Sequence, residues 1–491
     1  MKSKRGRNIM FSMSFAVVLS VLSCSSGSSG PTLFYGDING DGYSDLVVGA
    51  FLAESNKGKT YVYLGSSAGI STTASATITG SSTNWLGFSV SYAGDMNGDG
   101  YADLAVSAPY AGSGSEGLVY LFYGSADGIA SCDLSTCTPS IVITGETANS
   151  GFGNSLSLAG DINKDGYADL VVGAIGGNGK AYVFHGASNL STSISAANAN
   201  TIITGKESAN LLGTSVSSSG DINGDGYDDL VVAASEWPSG VKRGQVYIFL
   251  GSATGIASCD LSAGCTPNAT ISGVATDDYL GASVTIGGDL NGDGYDDVLI
   301  GSQYAEGYKG RVYIFNGSAS GISNCDLSAG CTASSMVTGS AGQYLGYAVY
   351  GAGDVNNDGY EDIVVGGWRA GDGGVAIVLN GSASGISCDL SSDCVVGSVA
   401  HPGATITGAE NYSLGGSVVC AGDVNRDTYS DIAIGAIGAN TGTGQAYVFT
   451  GSATGISNCN FVTGCMPNTL LSGDATENAF GVVHDIGPDL Y

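Results

Sequence analysis

One nine-residue pattern recurs seven times along this 491-residue chain and limits its architecture more than any other feature. The pattern is Asp-x-Asn-x-Asp-Gly-Tyr-x-Asp, followed by a short apolar run. It starts at Asp37, Asp95, Asp161, Asp221, Asp289, Asp354 and, with Thr428 in place of Gly, at Asp423. A period of roughly 60 to 70 residues marks one supersecondary unit repeated in an array. Two further landmarks keep the same phase. Gly-Ser-x-x-Gly-Ile begins at Gly65, Gly124, Gly251, Gly317, Gly381 and Gly451, with a degenerate copy at Gly186. Leu-Gly or Phe-Gly precedes the Asp pattern, with its Gly at Gly87, Gly153, Gly213, Gly281, Gly346, Gly415 and Gly481.

Each unit holds four strand signals. The first leads from Leu/Phe-Gly to the Asp pattern. The second is the run after it, such as Asp-Leu-Val-Val-Gly-Ala. The third is β-branched and aromatic, as in Gln245-Val246-Tyr247-Ile248-Phe249, and the fourth is Thr/Ile-rich, as in Thr77-Ile78-Thr79. Four short strands per unit read as one blade of a β-propeller. The sequence therefore predicts an all-β, seven-bladed propeller over residues 33–491. The landmarks are out of phase at the ends, since no Leu/Phe-Gly precedes Asp37 and no Asp pattern follows Phe480-Gly481. The C-terminal segment is thus expected to be the inner strand of the first blade, with Leu33-Phe34-Tyr35 as a competitor. That would close the ring and remove its open edges.

Composition supports this reading. The chain has 81 Gly and 8 Pro, and 43% of residues are apolar. Apolar content argues against a disordered acidic tail, and the low Pro count argues against collagen. There are 44 acids against 15 bases, a formal net charge of -29. Four of the bases (Lys2, Lys4, Arg5 and Arg7) lie in the first 23 residues, so a basic nucleic-acid footprint is excluded.

The combined Phe/Leu-Gly, Asp-x-Asn-x-Asp-Gly and Val-Gly-Ala elements resemble the FG-GAP repeat of integrin α-subunit propellers and their bacterial relatives. The resemblance implies a seven-bladed propeller with calcium in the loop between the first two strands. The third element is seldom intact, Ser107-Ala108-Pro109 being its nearest match to Gly-Ala-Pro, and no ligand-binding domain is inserted between blades.

The loop chemistry points the same way independently. Side chains at positions 1, 3, 5 and 9 and the carbonyl of position 7 supply only oxygen, which suits a hard cation of calcium size. The expected ligands are Asp37, Asn39, Asp41, Tyr43 and Asp45; Asp95, Asn97, Asp99, Tyr101 and Asp103; Asp161, Asn163, Asp165, Tyr167 and Asp169; Asp221, Asn223, Asp225, Tyr227 and Asp229; Asp289, Asn291, Asp293, Tyr295 and Asp297; Asp354, Asn356, Asp358, Tyr360 and Asp362; and Asp423, Asn425, Asp427, Tyr429 and Asp431. A plain Asx-turn is the alternative for any single copy. Three carboxylates per loop without a counter-ion would be costly. The seventh loop is the weakest candidate, because Thr428 replaces the turn Gly and Arg426 adds positive charge. The expectation is up to seven structural calcium ions.

Ten of the twelve cysteines form close pairs at one blade position: Cys132/Cys137, Cys259/Cys265, Cys325/Cys331, Cys388/Cys394 and Cys459/Cys465. In an exported protein these read as local disulfides. Cys420 is expected to be a small buried thiol. Val21-Leu22-Ser23-Cys24, after a basic n-region and an apolar stretch, resembles a bacterial lipobox. Residues 1–23 then read as a lipoprotein signal, Cys24 as the lipidated residue and 24–32 as a Ser/Gly tether. An ordinary secretory signal is the alternative. The expected location is the bacterial cell envelope, at the outer membrane or cell surface, with the membrane reached only through the lipid anchor.

In this strand order the Asp loops and Cys loops share one face. The other face carries Trp85, Tyr110, Trp237, Tyr304, Trp368 and Tyr412, suited to stacking on a sugar or anchoring a protein; packing among themselves is the alternative. The functional expectation is a non-enzymatic binding or adhesion module for a surface protein or glycan. A structural subunit of an envelope assembly, or a polysaccharide- or lipid-cleaving enzyme, are the alternatives. Only three His (His185, His401 and His484) and seven equivalent loops argue against a unique catalytic centre.

Overall fold

The protein is described by a computed structural model, which covers Leu19–Ser20, residues 36–392, Cys394, Val396 and residues 403–473. Seven antiparallel sheets follow one another along the chain. Blade 3 is typical. Its inner strand Phe152–Leu158 pairs with Leu170–Ala174, which pairs with Lys180–Phe184, which pairs with the outer strand Thr201–Thr204. The second strands read as continuous apolar runs because both faces are buried; Leu46–Ala50, Leu170–Ala174 and Leu230–Ala234 are buried throughout. Outer strands alternate buried and half-buried residues, as at Ala76–Thr79 and Ile141–Thr144. Adjacent blades pack face to face, so the core runs around the ring in successive inter-blade clusters.

The ring closes between blades 7 and 1 with the same bonds used at the other junctions. The carbonyl at position 2 of each Asp loop accepts the N–H of the residue after the next blade's landmark Gly. Ser125 donates to Ile38, Ser252 to Ile162 and Ser452 to Val355; at the closing junction Ser66 donates to Val424 at 3.2 Å. The expected C-terminal inner strand of blade 1 lies outside the described residues, as do Leu33-Phe34-Tyr35. The innermost position beside Leu46–Ala50 is held by the two-residue strand Leu19–Ser20, antiparallel to it.

One feature of the sheets is absent from the expected four-stranded blade. Blades 1 to 6 carry a short fifth strand on the outer edge, donated in parallel by the next blade. In five cases this strand begins at the first cysteine of a disulfide loop, as at Cys132–Asp133 and Cys259–Asp260. The five expected disulfides are all formed: Cys132–Cys137, Cys259–Cys265, Cys325–Cys331, Cys388–Cys394 and Cys459–Cys465.

The bridges are the local staples expected, and the loops they close lie against the neighbouring blade. The first cysteine of each pair is buried, because it pairs with the neighbouring blade's outer strand and its side chain enters a core cluster. The second lies beyond the turn that follows, where the chain comes back towards water. Cys265 and Cys331 are accordingly exposed, Cys137 and Cys465 are half-buried, and only Cys394 of these five is buried. Each bridge thus ties an outward turn to a buried anchor. It rigidifies a loop that clasps the neighbouring blade, rather than acting only within its own.

Candidate functional site: seven acidic loops and the opposite rim

The seven Asp loops share one geometry. In the first, the Asp41 N–H donates to Asp37 Oδ1 and to Asn39 Oδ1, each at 3.1 Å. The Gly42 N–H donates to Asp37 Oδ2 at 2.6 Å, and the Tyr43 N–H to Asp41 Oδ1 at 3.0 Å. The seventh loop keeps the same set, with the Thr428 N–H donating to Asp423 Oδ2 at 2.9 Å. Thr428 does so at φ 77, where the other six loops have Gly. A β-branched residue is strained there.

The ninth-position aspartate does more than the sequence suggested. Asp45, Asp103, Asp169, Asp229, Asp297, Asp362 and Asp431 are fully buried. One carboxylate oxygen of each accepts the N–H of loop position 2, and the other accepts the N–H of the landmark Gly about 20 residues on. For Asp45 the donors are Ile38 and Gly65, both at 2.9 Å; for Asp431 they are Val424 and Gly451. This explains the Gly of the Gly-Ser-x-x-Gly-Ile landmark. A Cβ on Gly65 would lie 2.3 Å from the Ser44 carbonyl oxygen and 3.0 Å from that of Val424 in the preceding blade.

Burial raises the pKa of these carboxyls, and the loop's own aspartates raise it further against the lowering by backbone N–H bonds. Asp45 and Asp297 are pushed up to about 7. Asp103, Asp169, Asp229, Asp362 and Asp431 are pushed up to about 8. Each loop is thus a concentration of acid whose buried member lacks a compensating charge. The all-oxygen donor set and this electrostatic deficit fit a hard cation. The carboxylates are nonetheless turned onto their own loop's N–H groups. Among the described residues, no three His, Cys, Asp or Glu side chains gather in metal-ligating geometry.

Arg426 does not enter its own loop. Its guanidinium stands over the Tyr43 ring of blade 1 at 5.4 Å and reaches the Asp41 carbonyl at 3.5 Å. Position 4 of every loop is aimed at the next blade: Lys164 sits over Tyr227, and a Cβ on Gly98 would lie 2.6 Å from the Tyr167 ring. Two further acids were not anticipated. Asp228 and Asp296 accept the N–H groups of Asp161 and Asp221 in the preceding loops, each at 2.7 Å. Burial pushes both up to about 6. The only sequence signal is the doubled Asp at Asp228-Asp229 and Asp296-Asp297.

Cys420 is a correction. It is fully buried in the inner strand of blade 7, as expected, but it is disulfide-bonded rather than a free thiol. Its partner lies outside the described residues, as does Cys24.

On the opposite rim the six aromatic residues share a face, but only Tyr110 is exposed. Trp85 packs edge-on to Tyr110 with centroids 4.7 Å apart. Tyr304 meets Tyr279, Tyr308 and Tyr344, and Trp368 meets Tyr344 and Tyr347. Lys206 lies over Trp237, and Arg369 over Trp368. Tyr412 packs near Phe461. The sequence reading missed Tyr308, which is 53% exposed. On the same rim, loops of blades 2, 3 and 4 enclose a cleft of about 600 Å³. Tyr110, Asn149, Asn154, Ile175, Glu236 and Lys242 are among its walls, and Lys242 pairs with Glu236 at 3.1 Å.

Comparison with known proteins agrees with this geometry. The FG-GAP-like repeat family matches residues 37–106, and the FG-GAP repeat family matches 152–184, 212–249, 280–315 and 415–449. The chain is an integrin α-like FG-GAP propeller. Mouse integrin alpha-8 is 39% identical over 168 residues, covering 32% of this chain and 15% of that protein. Mouse integrin alpha-IIb is 37% identical over 151 residues, covering 28% and 14%. The matched segment of this propeller therefore spans about one-seventh of the integrin chains. Among solved structures, the WD40 domain of Toxoplasma gondii coronin aligns with TM-score 0.43 and 10% identity, over 76% of this chain and 69% of that one. That alignment is too loose to bear on function.

Proposed function

We propose that this propeller is an exported, calcium-stabilised binding module that presents its loop-rich rim to a protein or glycan ligand at the cell surface. The observation that carries this reading is the rim cleft walled by three consecutive blades, with Tyr110 exposed at its edge. A concave site with convergent polar side chains, held on a rigid scaffold, suits ligand recognition. Calcium in the seven loops would be held by the aspartates, asparagines and position-7 carbonyls named above. It would neutralise the acid face rather than react with a ligand. Five disulfides suit an oxidising compartment. The basic residues Lys2, Lys4, Arg5 and Arg7 followed by an apolar stretch support export. Among the described residues, no helix is long and apolar enough to cross a membrane.

The test is binding of the calcium-loaded protein to a glycan array and to immobilised matrix proteins. Tyr110→Ala should reduce a genuine signal at least several-fold. Trp237→Ala/Trp368→Ala serves as a second rim variant. Absence of binding, with recovery of the protein in a stable envelope complex, would replace this reading with an assembly role.

A further inference from the structure

Among the described residues, six of the seven outer strands are covered and the seventh is not. Each covering strand is two or three residues long and parallel: Cys132 and Asp133 on Ile78 and Thr79, Cys325 and Asp326 on Ile271 and Ser272. In four blades a side chain just before the clasp completes the pairing. Ser131 accepts the outward N–H of Thr77, Ser258 that of Ile202, Asn324 that of Thr270 and Asn458 that of Thr405. The cover of blade 7 would have to come from blade 1. There the corresponding loop, residues 64–75, has no cysteine and forms no strand. Thr469–Ser472 is accordingly the outermost strand of a four-stranded sheet among the described residues.

Blade 4 is an internal control. Its Gln245 donates to Ser272 and accepts from the Tyr247 hydroxyl, and Gln445, Ser472 and Tyr447 repeat this in blade 7. This part of the framework matches, whereas the cover differs. The uncovered blade also carries apolar side chains in water. Leu470 is 36% exposed, Val462 71% and Met466 74%. At the corresponding loop positions blade 4 has Ser262 and Thr266, and blade 5 has Ser328 and Thr332.

An exposed strand edge beside apolar side chains is normally blunted or covered. We propose that Thr469–Ser472 is a docking edge for an extended segment of a partner protein, added in parallel as a fifth strand. The internal clasps define its chemistry. It carries Ser or Asn immediately before its first paired residue, to accept the Leu470 N–H, and apolar side chains to cover Leu470 and Met466. A second copy of this edge does not meet these terms. Two-fold pairing of identical edges is antiparallel, whereas all six internal covers are parallel. The proposal is independent of the rim cleft.

The test uses the full chain and a labelled, disulfide-closed peptide of residues 321–332, the segment that covers blade 4. Fluorescence anisotropy should show saturable binding. Leu470→Pro removes the outward N–H at an edge position where Pro is tolerated, and should weaken binding at least tenfold with an unchanged melting temperature. Val462→Ser/Met466→Thr should weaken it several-fold. Should Leu470→Pro fail to fold, a peptide carrying Asn324→Ala serves instead and should bind at least several-fold more weakly. No saturable binding up to millimolar peptide, or equal binding by the altered pair, overturns the proposal. A dimer that Leu470→Pro abolishes, without peptide binding, overturns it in favour of a second copy.

Discussion

The buried ninth-position aspartates tie cation binding to pH in a measurable way. In the metal-free fold these carboxyls keep their protons up to about 7 (Asp45 and Asp297) or about 8 (Asp103, Asp169, Asp229, Asp362 and Asp431). In the unfolded chain an Asp releases its proton near about 4. Between those values the unfolded state binds fewer protons than the folded one. Metal-free stability from this source is therefore fully present below about pH 4 and is lost as pH rises through about 7 to 8. A cation needs the carboxylate, so filling a loop must expel the proton. At pH 7 a group titrating near 7 is about half protonated and one near 8 about nine-tenths. Each calcium should then release roughly 0.5 to 0.9 proton at pH 7, nearly one at pH 6 and about 0.1 or less at pH 9. Affinity should rise close to tenfold per pH unit up to about pH 7 and level off above about pH 8 to 9. Calorimetric titration at pH 7 in phosphate and in Tris gives the proton count from the dependence of observed heat on buffer ionisation heat. Calcium binding with a count near zero would refute the reasoning. So would a metal-free melting temperature that climbs from pH 5 to pH 8.

Thr428→Gly should stabilise the metal-free protein by about 1 kcal/mol by relieving the positive φ; a denaturation midpoint that stays level or falls counts against this. Arg426→Ala should leave calcium stoichiometry unchanged, since the guanidinium lies over Tyr43 and not within its own loop, while costing about 0.5–1 kcal/mol; calorimetric stoichiometry and melting together check both halves. Cys259→Ser/Cys265→Ser should cost about 2 kcal/mol in chemical denaturation and, because that loop clasps blade 3, should speed amide exchange at Ile203 and Thr204. Peptide mapping without reduction should recover Cys420 in a disulfide-linked peptide, Cys24 being the one cysteine the five other bridges leave to pair with it; a free Cys420 beside an acylated Cys24 would refute the pairing.

Blade number and strand order were legible because every blade repeats its own pattern. What the pattern could not show is which blade a residue serves. The Cys pairs are local in sequence and read as local staples, yet Cys259–Asp260 adds to the outer strand of the preceding blade. Arg426 reads as a charge in its own loop, yet the stagger of successive loops aims position 4 at the neighbour's Tyr. Gly65 reads as a turn former, whereas close approach of two neighbouring loop backbones leaves no room for a Cβ. Each of these depends on an inter-blade distance, and no within-repeat periodicity encodes one. The rim aromatics were placed on the right face by strand order alone. Their exposure was not legible, because it depends on which neighbouring ring fills the space beside each.

The same inter-blade bonds bear on how the ring holds together. A propeller joined only through its innermost strand at blades 7 and 1 would open when that strand is lost. Here the closing junction also carries the loop bonds of the other junctions: Ser66 donates to Val424, Ser44 donates to Asp423, and Arg426 covers Tyr43. All three lie on the acidic face. Asp45 holds the Gly65 end of that contact, and Asp431 bonds the N–H of Val424 itself. The protonation or cation state of loops 1 and 7 therefore acts on the closing junction from both sides. Neutralising those loops tightens the seam, and leaving both carboxylates charged and bare loosens it. A shortened chain ending at residue 477, without Phe480-Gly481, should consequently remain closed at pH 5 or with calcium bound. It should open first between blades 7 and 1 when metal-free at pH 9. Hydrogen exchange localises that opening: protection lost first at Val424 and Ser66 is the expected result, and uniform loss around all seven loops would show that the seam has no special dependence on its acids.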